Sequence, residues 1–242
     1  RGTVSGRNWR YACGLLICVE TALASSFTPL NMDRRLTVLV RPGDQQWLDA
    51  PQAPVKRWPL EREAPESGEV TSLVEYLPGA QFPEHHHPNG EEILVLSGVF
   101  SDESGDYPAG SYLRSPAGSR HSPFSQPGCE IFVKLNQFAE GDMSTLRLLP
   151  QQLVWQALDH GMERAQLHAF VDEVSSLQRY SRAMPVQLPS QMRGEILVLE
   201  GSLTWGEETL TAGSWLRAPS FDELPLTAVE NTRILVKAHQ LS

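Results

Sequence analysis

Short apolar runs, each closed by a turn signal, recur along this chain and set its predicted secondary structure. EILVLSG (92–98) and IFVKL (131–135) are rich in residues that favour strands, and the first ends in glycine. VTSLVEYL (70–77) is a third run, stopped by Pro78 and Gly79. Between these runs lie the turn clusters SDESGD (101–106), PAG (108–110) and SPAGS (115–119). Strands spaced by about ten residues, with turns between them, predict an all-β fold, a sandwich or a barrel. The segment 151–173, QQLVWQALDHGMERAQLHAFVDE, fits a helix or a linking strand equally well.

The pattern also repeats. EILVLSG returns as EILVLEG (195–201), AGSYLRSP (109–116) as AGSWLRAP (212–219), and IFVKL as ILVKA (234–238), all at one offset of 103 residues. VTSLVEY (70–76) matches VSSLQRY (174–180) with a slip of one. Chance similarity among apolar strands would not hold a single offset over three blocks. Two homologous units are therefore expected.

Composition narrows the functional classes. A length of 242 residues accommodates two small domains. The net charge of −9 argues against a nucleic-acid partner, which needs a basic surface. No apolar run approaches the ~18 residues of a membrane span, so no membrane partner is expected. Cys13, Cys18 and Cys129 form neither a disulfide framework nor a CxxC pair, which suits a cytoplasmic protein. Cys129, near the IFVKL strand, is expected to be a small buried hydrophobe. Arg7 and Arg10 before the apolar stretch from Tyr11 to Val19, then Ala22-Leu23-Ala24, outline a secretory signal, although Glu20 interrupts it. Met32 opens MDRRLTVLV. Residues 1–31 are accordingly expected to be an extension outside the fold, with export of the protein as the alternative.

Four of the seven histidines lie in two short segments. The first, 79–98, reads GAQFPEHHHPNGEEILVLSG. On a strand His85 and His87 share a face and His86 takes the other. Pro88-Asn89-Gly90 makes a tight reversal that brings Glu91 into the next strand beside them. The second, 110–125, reads GSYLRSPAGSRHSPFS, and its turn residues put His121 at the start of another strand. Three neutral imidazoles and one carboxylate suit one divalent ion: zinc, iron or manganese. A solvated histidine tract is the bland alternative, and the glutamate spacing and the fourth histidine weigh against it. Asp102, Glu103 and Asp106 lack calcium-loop spacing and are expected to form a solvated hairpin. Arg120, Ser125 and Tyr107 receive no role.

These segments resemble the two cupin motifs. The first matches G-x5-H-x-H-x3-E-x6-G at every fixed position. The second matches G-x5-P-x-G-x2-H-x3-N except that Ser125 stands in place of asparagine, which is not a ligand position. More narrowly, residues 85–125 are similar to the ChrR-type cupin domain, the metal-binding module attached to some anti-sigma factors and also found alone. The resemblance is specific over about 70–135 and extends to the C-terminus through the repeat. It implies that His85, His87, Glu91 and His121 are the metal ligands. It also implies two tandem jelly-roll barrels packed as a pseudo-dimer: 32–147 binding metal and 148–242 without ligands. At the repeat offset His87 becomes Ser190, Glu91 becomes Gly194, His121 becomes Leu224, and His85 falls near Leu188.

Two functions follow from the resemblance. One is a non-haem metal dioxygenase acting on a small diketone or hydroxyketone. The other is a zinc-binding sensor or regulatory cupin without catalysis. Residues 1–69 lack a histidine and a convincing amphipathic helix, so direct binding of a sigma factor is not expected. The expected partners are a small-molecule ligand or substrate, with a homodimer left open.

Overall fold

The computed structural model describes residues 27–44, 46–51, 53–65, 67–158 and 161–241. The signal-like segment lies outside the described residues. Strands dominate, joined by turns and short 3-10 segments such as Pro150–Gln152. The ambiguous 151–173 segment forms the antiparallel strands Trp155–Ala157 and Met162–Phe170. No helix among the described residues is long and apolar enough to cross a membrane.

In the N-terminal half, one sheet runs in the order Leu146–Leu148, Tyr112–Ser115, Glu91–Asp102, Cys129–Leu135, Val70–Tyr76, Val55–Arg62, Leu48–Asp49. The twelve-residue strand Glu91–Asp102 bends at Gly98, and beyond it pairs with Gly105–Pro108 and Phe124–Ser125 in a second layer. The C-terminal half repeats this plan. Its large sheet runs Val38–Val40, Trp215–Ala218, Met192–Glu200, Thr232–Gln240, Glu173–Tyr180, Met162–Phe170, Trp155–Ala157. A smaller sheet, Glu208–Thr211, Ser202–Trp205, Leu226–Ala228, completes it.

The two halves exchange strands. Val38–Val40, which precedes the first repeat, pairs with Trp215–Ala218 of the second. Leu146–Leu148, which precedes the second repeat, pairs with Tyr112–Ser115 of the first. Residues just before Met32 also hydrogen-bond to the sheet strands. Leu30 exchanges two backbone hydrogen bonds with Arg62 (2.8 and 3.0 Å), the Asn31 amide donates to the Leu60 carbonyl, and Arg217 donates to the carbonyl of Asn31.

Both faces of the large sheets are buried, which explains why EILVL is apolar without interruption. Ile93 and Val95 point between the layers of the first half with Tyr76, Phe100 and Ile131. Ile196 and Val198 do the same in the second half with Leu203 and Ile234. The alternate residues Leu94 and Leu197 meet in a third apolar cluster drawn from both halves, with Trp58, Tyr112, Phe132, Leu177, Trp215 and Leu235. This seam joins the two large sheets.

Charges are buried in the same seam. Glu92 accepts hydrogen bonds from Tyr112 (2.8 Å), Arg114 (2.9 Å) and Lys237 (2.8 Å). Arg114 also binds Glu173 (2.9 Å) and Asp142 (2.6 Å), and Asp142 meets His168 at 2.9 Å. Lys237 pairs with Glu173 as well. The equivalent contact appears in reverse, with Lys134 of the first repeat paired to Glu195 of the second. Trp215 donates to Glu195 at 2.6 Å, the position that Tyr112 fills beside Glu92. A buried ion pair gives up solvation comparable to its Coulomb gain, but removing one partner strands the other without water.

Two expectations follow. Lys237→Ala should leave Glu92 and Glu173 under-compensated and destabilise the protein by about 3–5 kcal/mol in denaturant unfolding. A loss of under ~1 kcal/mol would mean that the seam charges are not structurally coupled. The second expectation concerns acid. Burial alone would raise the pKa of Glu92, but the charges of Lys237 and Arg114 overcome it and hold the carboxyl at about 2. An unfolded glutamate titrates near 4.5, so on acidification the unfolded chain takes up this proton first. The stabilisation should be intact above pH ~5 and be lost as the pH falls toward ~2. Glu92→Gln should flatten that part of a melting-temperature profile.

Candidate metal centre

Antiparallel pairing assembles the site. Strand His85–His87 pairs with Ser119–His121, setting His85 opposite His121 and His87 opposite Ser119. His86, opposite Arg120, turns to solvent, while His87 and His121 are buried. The turn after His87 delivers Glu91 to the start of the long central strand. Gly90 is required there. Its φ of +84° lies in the left-handed region, and the Phe138 ring stands 2.5 Å from where a Cβ would be.

The three imidazoles are mutually edge-on, with ring centroids 4.7–5.0 Å apart. Glu91 Oε2 lies 3.5 Å from His87 Nε2 and 3.4 Å from His121 Nε2. One donor atom from each of His85, His87, Glu91 and His121 falls within 4.8 Å of all the others. Donors held about 2.1 Å from one ion would lie roughly 3.0–4.2 Å apart, so small adjustments close the set around a metal.

The outward nitrogens are held by groups that leave the inward ones free. His85 Nδ1 faces the Pro83 carbonyl at 3.0 Å, an acceptor only, so Nδ1 carries the proton and Nε2 keeps its lone pair. His121 Nδ1 lies 3.6 Å from the Asp102 carboxylate, which favours the same tautomer. His87 Nδ1 meets the Ser119 hydroxyl at 3.0 Å. The Nε2 atoms of His87 and His121 are buried with no hydrogen-bond partner in the protein. Two buried ring nitrogens without a hydrogen-bond partner, both beside a carboxylate, are costly unless a cation joins them, so the donor set fits a divalent ion.

Electrostatics keep two of the three rings neutral. Burial lowers the pKa of His85, and that of His87 to about 4, which keeps both rings neutral. Burial also opposes the charged form of His121, but Asp102 and Glu91 outweigh it and leave its pKa above the usual value.

The structure brings together all four sequence-derived candidates. It adds Asp102, which the sequence placed in a solvated hairpin. That expectation is corrected: Asp102 is buried, accepts from Tyr107 (3.2 Å) and the Ser104 backbone (2.8 Å), and lies 3.8 Å from Arg147. Tyr107, given no role before, is thus part of the support of His121. Nothing in the acidic cluster distinguished Asp102, because only the bend of the long strand turns it inward. Cys129 is buried, as expected.

The C-terminal half has no room for the same site. A Cβ on Gly194 would stand 2.0 Å from the Lys237 carbonyl and 2.8 Å from the Phe221 ring. Leu224 and Phe221 are packed in the core, with Leu188 against them, and Ser190 is exposed. Among the described residues, the first-half cluster is the one group of three or more potential ligands close enough for an ion.

Residues 36–139 match the family model of the ChrR cupin-like domain. No protein of curated function matches the sequence. Similar solved structures include a candidate dioxygenase from Nostoc punctiforme PCC 73102, 18% identical with a TM-score of 0.71, over 86% of this chain and 84% of that one. Another is the bacterial pirin YhhW in complex with nickel(II) from Escherichia coli, 15% identical with a TM-score of 0.65, over 86% of this chain and all (100%) of that one. A third is quercetin 2,3-dioxygenase from Acinetobacter baumannii, 16% identical with a TM-score of 0.53, over 71% and 74%. At these identities the likeness shows the fold, a cupin-type jelly roll.

The purified protein should hold about one metal per chain by elemental analysis, and His87→Ala should lose most of it with a lower melting temperature. Asp102→Asn should weaken metal affinity about 10–100-fold in chelator competition, since it supports a ligand without being one. Two metals per chain, or full metal content in His87→Ala, would refute the single-site assignment.

Proposed function

We propose that the chain is a bicupin with a metal-binding barrel at 32–147 and a ligand-free barrel at 148–242, packed as a pseudo-dimer. We further propose that the first barrel holds one divalent ion on His85, His87, Glu91 and His121 and acts as a non-haem metal dioxygenase on a small diketone or hydroxyketone. The observation that carries this reading is the convergence of buried, unpartnered Nε2 atoms on Glu91. The pairing of Val38–Val40 with Trp215–Ala218 and the reciprocal lysine–glutamate pairs support the two-barrel reading.

The bound ion would supply Lewis acidity toward the two oxygens of a chelating substrate. The protein's own groups do the rest. Pro83, Ser119 and Asp102 lock the three rings. Tyr76 and Phe100 fill the space behind them and exclude water. His85 is half-buried and stacks edge-on against Phe82 at 5.1 Å, so the donor cluster reaches solvent on the His85 side. That opening suits a small apolar-faced substrate and favours an enzyme over a closed structural site.

The match to the ChrR cupin-like domain supports a second reading, a zinc-binding sensor or regulatory cupin. Coordination separates the two. The enzyme should consume oxygen with pentane-2,4-dione or a hydroxyacetophenone when loaded with iron(II), and its cobalt-substituted form should change spectrum on adding substrate. An intense four-coordinate cobalt spectrum that candidate substrates leave unchanged, with no oxygen uptake, would establish the closed zinc site instead.

A further inference from the structure

The sheet face that carries Glu91 also carries two arginines. Glu91 stands opposite Leu135, Leu135 opposite Val70, and Val70 opposite Arg62. Residues directly opposite one another point to the same side of a sheet. One cross-strand row therefore has a metal donor at one end and a guanidinium at the other, three strand spacings or roughly 14 Å apart. A second row, Ile131, Val74 and Arg57, runs alongside it on the same face. This face is the interior of the N-terminal half, where Val74 and Val133 pack with Ile93 and Tyr76.

A cavity of about 130 Å³ opens along this face, walled by Val74, Val133 and Leu135 and edged by Arg57, Arg62 and Asn136. No acidic side chain among the described residues lines it. Arg57 and Arg62 are partly exposed, so a ligand can reach them. Each already has a partner in the protein, and Arg62 Nε donates to the Ala64 carbonyl at 3.1 Å. A guanidinium carries five N–H donors, so such a partner leaves others to offer. A carboxylate is the acceptor whose two oxygens match that planar fork. The volume falls well below the ~300–1,000 Å³ of a complete ligand pocket, which suits one end of a molecule.

The charge of Arg57 also reaches the metal centre. Burial is the main cause that lowers the pKa of His85, and Arg57 adds to it. Burial and the charge of Glu91 raise the pKa of Tyr76, against the charge of Arg57. Tyr76 thus lies within the field of both the metal donor and the arginine.

We propose that Arg57 and Arg62 form a carboxylate subsite of the metal centre, so that its substrate is a small diketone acid whose carboxylate lies against these guanidiniums while its carbonyl oxygens turn toward the ion. The identity of the substrate rests on the diketone reading above, but the subsite can be tested without turnover.

The test uses the full chain loaded with zinc, which has no redox chemistry, so binding is read by calorimetry without reaction. 4,6-Dioxoheptanoate carries a β-diketone and a remote carboxylate, and heptane-2,4-dione is its uncharged counterpart. The acid should bind about tenfold or more tightly than the neutral diketone. That ratio should fall toward one in Arg57→Met, and should fall in Arg62→Met as well. Equal affinities in the native protein, or a ratio that survives both substitutions, would overturn the subsite. If neither diketone binds, the diketone reading fails and butyrate alone judges the subsite. Butyrate should then move the Arg57 Nε–H resonance, identified by its loss in Arg57→Lys, and an unmoved resonance would overturn the proposal. Selective binding of the acid with no oxygen uptake by the iron(II) form would sink the dioxygenase reading and leave the subsite standing.

Discussion

The arrangement of this protein turns on two adjacent carboxylates that must point in opposite directions. Glu92 is held on the seam side by Tyr112, Arg114 and Lys237. Strand alternation then forces Glu91 to the other face, among the histidines. A slip of one residue would place Glu91 in the seam and Glu92 in the barrel. Neither would then find its partners, and an unpaired buried charge costs several kcal/mol. The seam network thus sets the register of the strand that begins the candidate site, and does so from the face the site never touches.

The same network ties the two halves together. Lys237 reaches from the second repeat to Glu92 of the first, and Lys134 reaches from the first to Glu195 of the second. The strands Val38–Val40 and Leu146–Leu148 cross over in the same reciprocal way. Each half therefore completes a sheet of the other, and their shared apolar cluster could not form in either alone. The C-terminal half, which has no equivalent ligands, still contributes to the first. It carries a strand partner, a leucine face and one end of the buried charge pairs. At Gly194, the counterpart of Glu91, the backbone sits against Lys237 and Phe221 with no space for a side chain.

Within the N-terminal half, the groups behind the histidines matter as much as the histidines. Pro83, Ser119 and Asp102 occupy the outward nitrogens, which leaves the inward lone pairs directed at one point. Asp102 is itself held by Tyr107 and the Ser104 amide, so the order extends one layer further into the fold. His85 differs from the other two in being half-buried, and this asymmetry gives the cluster one wet side.

Much of this was legible in the residues alone. The period and turn signals led to an all-β chain, the constant offset revealed the repeat, and the motif spacing picked out His85, His87, Glu91 and His121. These features are local or depend on short spacing, and strand geometry translates them directly into side-chain direction. Segment 151–173 stayed ambiguous because its strands lie at the exposed end of the sheet and a bulge between Gln166 and His168 breaks the alternation that marks a strand. Asp102 was misplaced because its neighbours in sequence are a hairpin turn, and its neighbours in space, His121 and Tyr107, arrive through a bend at Gly98. The partners of Glu92 and the strand exchange were likewise beyond reach. Glu92 and Lys237 are 145 positions apart, and no local preference records that they meet. Sequence determined which residues could bind a metal and which half lacks their equivalents. Tertiary structure decided what holds those residues in place, because that depends on desolvated contacts that exist only once both halves have closed on each other.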